Sequence, residues 1–218
     1  MINSVLPSGV IGAETFSDLD EALHPEEEAA IARARPRRQR EFRTVRACAR
    51  TALAGLGINR PSLAPGADGL PPWPEPVLGS MTHCDGYAAA AAGPTDCVAA
   101  LGIDAEPDAP LPPGVLRLVA SAAEQEHLDA LAVTYPGRSW ERLLFCAKEA
   151  MYKAWYPRER RWLGFEDVRV RIESDGTFAV EFLDPEAGGF FREVPVEGRW
   201  TAAHGLLLAS VAAPGPVR

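Results

Sequence analysis

An α+β fold is predicted from three observations: helical apolar stripes and strand-like alternation both occur in each half, the strand segments are short and bounded by tight turns, and a proline-rich connection separates the halves. The chain has 218 residues, 47% of them hydrophobic, enough to bury a core as one domain or as two small halves sharing one. Met1 to Val10 lack the basic start and apolar run of a signal peptide, and no stretch of about 18 apolar residues occurs, so a cytoplasmic protein without membrane contact is expected. A formal net charge of −8 argues against nucleic acid as a partner, because the phosphate backbone rewards a basic surface. Cys48, Cys84, Cys97 and Cys146 form no C-x-x-C pair and read as reduced thiols.

After a short irregular start, His24-Pro25-Glu26-Glu27-Glu28 has the acids of a helix entrance, where the macrodipole favours them. Pro36 then punctuates the run, and Phe42, Val45, Ala49, Leu53 and Leu56 give a helical stripe over Arg37 to Leu56. Arg43, Arg46 and Arg50 share one face of it, either converging on a polyanion or forming a solvated basic face. Asn59 to Pro76, rich in proline and glycine, is a loop. Val77 to Thr82, Tyr87 to Ala92 and Val98 to Ala105 read as three strands of an antiparallel meander. Asp108 to Gly114 is the proline-rich divide. Helical signals resume at Ser121 to Leu131, and Trp140 to Tyr156 is the strongest helix, with Ser139 as its N-cap and Pro157 as its end. Strands are expected at Val168 to Ile172, Phe178 to Phe182 and Leu206 to Val211, the first two joined by a turn at Ser174-Asp175-Gly176-Thr177.

Three groups of residues carry chemistry. Asp104 and Glu106 stand at i and i+2 on an extended segment and so share a face, which suits a divalent cation bound with a substrate phosphate or, alternatively, a strand end facing water. Glu149 and Lys153 lie at i and i+4 in an apolar stretch of the strongest helix, as a surface ion pair or as a buried one with a function. Ser80 and Thr82 alternate to one face of a strand and could donate to phosphate oxygens, with His83 beside them as an anion contact or a structural histidine.

In this order and spacing the residues resemble a known family. The matching segments are Val45-Arg46-Ala47-Cys48-Ala49-Arg50, Trp73-Pro74, Gly79-Ser80-Met81-Thr82-His83-Cys84-Asp85-Gly86-Tyr87, Gly102-Ile103-Asp104-Ala105-Glu106-Pro107, and Phe145-Cys146-Ala147-Lys148-Glu149-Ala150-Met151-Tyr152-Lys153-Ala154. The chain resembles the broad-specificity, monomeric phosphopantetheinyl transferases that prime nonribosomal peptide, polyketide and siderophore synthases. The resemblance implies two similar α+β halves in a pseudo-twofold arrangement, residues 1–107 and 108–218, with coenzyme A between them. It also implies an activity: transfer of phosphopantetheine from coenzyme A to a serine of an acyl or peptidyl carrier protein, with release of 3',5'-ADP.

By the same resemblance, Asp104, Glu106 and Glu149 are ligands of Mg2+, with Mn2+ as an alternative, and Glu149 is also the general base. Lys153 holds the pyrophosphate, and Arg38, Arg46 and His83 bind the nucleotide phosphates. Two positions depart from the pattern: Pro65-Gly66 replaces a lysine-glycine, and Cys146 replaces a serine. Arg158, Arg160 and Arg161 are candidates for contact with the acidic carrier. Two rivals stay open: a metal-dependent phosphodiesterase or nuclease, which would need no acceptor protein, and a non-catalytic coenzyme A binder, which would not need Asp104 and Glu106.

Overall fold

A computed structural model of the chain describes residues 1–183 and 189–216. The first part comprises β1 (Ile11–Thr15), α1 (Pro25–Ile31), α2 (Pro36–Gly55), β2 (Val77–Cys84) and β3 (Tyr87–Pro94). Pro36 opens α2 at its first turn, where a missing N–H costs nothing, and Phe42, Val45, Ala49 and Leu53 form its buried stripe. Three strands pair antiparallel in the order β1-β3-β2, and α2 packs across them. The irregular start expected before the first helix contains β1, paired with β3 from Ile11 opposite Ala92 to Thr15 opposite Ala88. All five of its residues are half-buried, so it shows no in-out alternation to read.

The second part comprises β4 (Val98–Pro107), α3 (Leu116–Val119), α4 (Ala122–Thr134), α5 (Trp140–Glu159), β5 (Val168–Ile172), β6 (Thr177–Phe182), α6 (Gly189–Glu193), β7 (Glu197–Ala203) and β8 (Leu206–Pro214). Five strands pair in the order β4-β8-β7-β6-β5, with α5 lying on β4 and β8. The expected three-stranded meander is therefore corrected: β2 and β3 form a hairpin, but β4 pairs with β8. The reason lies in β3, which has β1 on one side and β2 on the other and so offers no free edge. The cut expected at 107/108 falls at the end of β4, already a strand of the second sheet. Pro157 does not end α5, which runs on to Glu159 and stops at Arg160 in the left-handed conformation, φ 54°. A proline in the last turn forfeits only one intrahelical bond near a frayed end. Ser139 precedes α5 without a side-chain cap; its backbone N–H donates to the Asp108 carboxylate at 2.9 Å. Among the described residues no helix is long and apolar enough to cross a membrane.

The alanine run of β3 explains how the two parts meet. Ala88, Ala90 and Ala92 face the core under α2, while Ala89 and Ala91 face a second core with Ile103, Ala105 and Leu208. Small side chains on both faces let a central strand be covered from both sides. Ser80 Oγ accepts the Ile103 N–H at 3.0 Å and Thr82 Oγ1 accepts the Ala105 N–H at 3.1 Å, so hydroxyls of β2 satisfy the edge of β4 that faces away from β8. Gly102 is required where β4 crosses α5, since a Cβ there would collide with the Ala150 carbonyl and the Ala154 amide.

Candidate active site

β4 emerges from this crossing carrying Asp104 and Glu106, and α5 passes with Glu149 and Lys153 on the facing side. Asp104 is only 6% exposed. Its Oδ1 accepts from Lys153 Nζ at 2.6 Å and from Thr82 Oγ1 at 3.1 Å, while its Oδ2 is buried without a partner. A buried carboxylate oxygen left unpaired is costly and is satisfied only by a donor or a cation. Glu106 is pushed above the ordinary carboxylate range by burial and then by the Asp104 charge, against the pull of Arg142, whose Nη1 donates to Oε2 at 3.0 Å. Glu149 is raised likewise, by burial first and Asp104 next, and no hydrogen bond offsets the rise. The three carboxylates thus repel one another in a poorly solvated spot. They are not drawn to ligand spacing: among the described residues, no three His, Cys, Asp or Glu side chains form a group that could hold a metal ion.

The expected Glu149–Lys153 pair is replaced. Lys153 turns to Asp104, across from its own helix, and borders a cavity of about 500 Å³ between β2, the loop before it and the end of α5. Trp73, Met81, Tyr152 and Tyr156 line its apolar part, and Ser80 and Arg160 join Lys153 as polar walls. Ser80 therefore borders the cavity, whereas Thr82 is 2% exposed and spends its hydroxyl on Asp104 and the Ala105 amide. Cys146 is fully buried and its thiol reaches the Asp104 carbonyl at 3.2 Å, so the sulfur packs behind the acidic centre. Burial holds the nearby Cys84 thiol up at about 12, which keeps it from being a nucleophile.

The arginines of α2 divide. Arg50 is committed to buried Glu27 at 2.5 Å and to Glu21 at 2.9 Å, and Arg43 to Glu28 at 2.7 Å, so neither a shared polyanion site nor a solvated face is formed. Arg46 is 6% exposed, donates to the Leu63 carbonyl, stacks over Phe42 and keeps a buried Nε without a partner. Burial lowers it to about 10, still charged at neutral pH. Arg38 lies 3.1 Å from His83 Nε2, and both face Glu41, which also accepts from Arg37. Burial, more than Arg38, lowers the His83 imidazole despite Glu41. Glu41 was missed in the sequence; its spacing of four from Arg37 and three from Arg38 was the available signal.

Of the basic residues expected beyond the helix, Arg158 lies in the last turn of α5 and stacks on Phe190, while Arg160 follows the helix and pairs with Asp68. Asp68 lies in the same loop as Pro65-Gly66, so a cation from the second part reaches that loop. Arg142 was also missed; it precedes Glu149 by seven residues, hence two turns along the same face.

The model of the 4'-phosphopantetheinyl transferase N-terminal domain matches residues 26–93, and that of the 4'-phosphopantetheinyl transferase superfamily matches residues 100–204. The chain is 45% identical to 4'-phosphopantetheinyl transferase Svp of Streptomyces mobaraensis, over 99% of this chain and 90% of that protein. It is 43% identical to Npt of Nocardia iowensis, over 97% and 99% of the two chains, and 41% identical to PptT of Mycobacterium tuberculosis, over 97% of each. On these matches across nearly its whole length, the chain belongs to the 4'-phosphopantetheinyl transferase superfamily.

Proposed function

We propose that the chain transfers the 4'-phosphopantetheine group of coenzyme A to a serine of an apo carrier protein, giving holo-carrier protein and 3',5'-ADP. The observation that carries this reading is the centre of Asp104, Glu106 and Glu149 next to Lys153, the residue that borders a cavity between the two parts. A phosphodiester-cleaving rival could use the same acids, but the family membership speaks for transfer to a protein acceptor.

Asp104, Glu106 and Glu149 would hold Mg2+, with Mn2+ as an alternative; the unpaired Asp104 Oδ2 and the mutual repulsion of the acids support that fit. A divalent cation bound there supplies neutralisation of pyrophosphate charge. Lys153 holds the pyrophosphate, and Arg38, Arg46 and His83 take the nucleotide phosphates, supported by the partnerless Arg46 Nε and the pairing of Arg38 with His83. Ser80 borders the coenzyme A cavity, and Thr82 contributes by orienting Asp104. Glu149 accepts the proton of the carrier serine as its Oγ attacks the β-phosphorus. The bond from that phosphorus to the bridging oxygen breaks, and its electron pair leaves with 3',5'-ADP. Positioning and charge neutralisation outweigh proton removal in such a transfer. The reading includes two halves, 1–107 and 108–218, and a cytoplasmic monomer, since both sides of the cleft come from one chain.

Intact-mass spectrometry of an apo carrier protein after incubation with enzyme, coenzyme A and Mg2+ tests this directly. A gain of one phosphopantetheine is expected, abolished by a chelator or by Asp104→Ala, and lowered at least about 100-fold in rate by Glu149→Gln. Full activity of a folded Asp104→Ala variant would refute the site, and no gain with several carriers would refute the transfer.

A further inference from the structure

We infer that Arg142 is a positioning residue for the acidic centre, fixing the Glu106 carboxylate and the chain turn behind it through one guanidinium. The inference rests on the metal-binding reading given above. Arg142 Nη1 donates to Glu106 Oε2 at 3.0 Å, Nε to the Ala109 carbonyl at 3.1 Å and Nη2 to the Pro110 carbonyl at 2.7 Å. Three nitrogens therefore hold three points of a five-residue stretch, and the side chain is only 16% exposed. A planar fork can do this and an ammonium cannot.

The location gives the clamp its purpose. Glu106 is the last residue but one of β4, with Asp104 two residues before it and Glu149 close enough on α5 for all three charges to interact. Without a cation on its outer side, Glu106 would be driven away from these like charges and into solvent. Two further contacts tie the same stretch to the start of α5: Asp108 accepts the Ser139 N–H at 2.9 Å and faces Arg138 at 3.7 Å. Arg142, Glu149 and Lys153 follow one another along one face of α5, so the helix that presents the proposed base also sets the position of an acid on the opposing strand. Arg142 engages one oxygen of Glu106 and need not touch substrate; it acts through the carboxylate it holds.

The experiment compares wild type, Arg142→Gln, Arg142→Lys, Glu106→Gln and the double variant Glu106→Gln/Arg142→Gln. Mn2+ affinity is measured by calorimetry in the presence of coenzyme A, alongside the Mg2+ concentration that half-saturates transfer. Arg142→Gln is expected to weaken Mn2+ binding about 10- to 100-fold and to raise the Mg2+ requirement equally, as loss of a ligand's supporting contact does elsewhere. Arg142→Lys should recover only part of this. In the Glu106→Gln background, Arg142→Gln should add little. Unchanged Mn2+ affinity in folded Arg142→Gln overturns the inference, as does an equal loss in both backgrounds, which would make Arg142 a plain strut. If Arg142→Gln does not fold, Arg142→Lys decides: wild-type affinity overturns the inference and a measurable loss supports it. A wild type that binds no Mn2+ refutes the metal reading itself, an outcome distinct from equal binding by wild type and variant.

Discussion

Two lysines on α5, five residues apart, each meet an acid from another element, and they differ in saturation. Lys148 is fully enclosed: its ammonium donates to the Val119 and Phe165 carbonyls at 2.8 Å each and lies 2.9 Å from Glu124. Glu124 in turn accepts the Val170 amide at 2.9 Å and the Ser121 amide at 2.8 Å. Every donor of that ammonium is used, and one charge pins α3, α4, β5 and the short 3-10 turn Phe165–Asp167 around the helix. Lys153 has one acid partner, Asp104 at 2.6 Å, stands 29% exposed at the wall of a cavity, and faces a carboxylate whose second oxygen is buried and unpaired. A saturated pair is scaffold, whereas an unsaturated one beside a cavity is set up to receive a ligand.

Exchanging the two lysines' roles would break this contrast, and single substitutions test it. The largest effect is expected for Lys153→Ala, which should lower the rate of phosphopantetheine transfer about 100- to 1,000-fold through loss of the charge proposed to meet the pyrophosphate. Its urea midpoint should stay near that of wild type; a strongly destabilised variant would make Lys153 scaffold as well. Lys148→Met should do the reverse, costing about 3–5 kcal/mol in urea unfolding because Glu124 is left buried without its cation. Adding Glu124→Gln to Lys148→Met should recover part of the loss, and a failure to recover any would point to packing as the cause.

Acid sharpens the same contrast. Burial pushes the Glu124 carboxyl up, but the Val170 amide, Lys148 and the Ser121 amide outweigh it and bring it below the usual carboxylate value. A depressed folded-state pKa contributes stability that is fully present above the unfolded value and is lost as pH falls through the folded one. Stability measured down from neutral pH should therefore decline below about pH 4.5, the ordinary value for the group, and Glu124→Gln should flatten that acid limb. Equal slopes in variant and wild type would mean Glu124 does not contribute to it.

The long, periodic pieces of this chain were legible in its letters. The α2 stripe, the β2–β3 hairpin, α5, and β5, β6 and β8 stand where apolar spacing puts them, because each buries at least one face. What was not legible depended on partners far along the chain. β1 carries no alternation and is a strand only because β3 offers it an edge. β4 looked like the third strand of a meander, and only the occupied edges of β3 send it to β8. The acids of the site were readable as a same-face pair on a strand, yet the partner of Lys153 was not: spacing within the helix suggested Glu149, and the crossing at Gly102 supplied Asp104. Arg142 and Glu41 went unread because their meaning comes from residues 36 and 42 positions away, Glu106 and His83.

The basic face of α2 extends the saturation argument to its smallest expected effect. Arg43, Arg46 and Arg50 share a spacing that invites one explanation, but their surroundings differ. Arg50 and Glu27 form a buried pair at 2.5 Å, whereas Arg43 meets a half-exposed Glu28 at 2.7 Å and donates to the Glu21 carbonyl at 3.1 Å. Arg46 and Arg50 each keep a buried Nε without a partner, but Arg50 spends its terminal nitrogens on Glu21 and Glu27, whereas Arg46 Nη2 donates to the Leu63 carbonyl and, among the described residues, meets no acid. Pairing with acids therefore marks Arg50 as scaffold and Arg43 as surface, and leaves Arg46, which lacks an acid partner among the described residues, as the proposed ligand contact. Arg43→Gln should change unfolding free energy by less than about 1 kcal/mol, since solvent screens the pair, and should leave the KM for coenzyme A unchanged. Arg46→Gln should raise that KM about 10-fold, the worth of one charge-assisted hydrogen bond to phosphate. A rise in KM for Arg43→Gln that matched Arg46→Gln would restore the reading of one converging polyanion site, and pairing with an acid would no longer separate scaffold from binding groups on this helix.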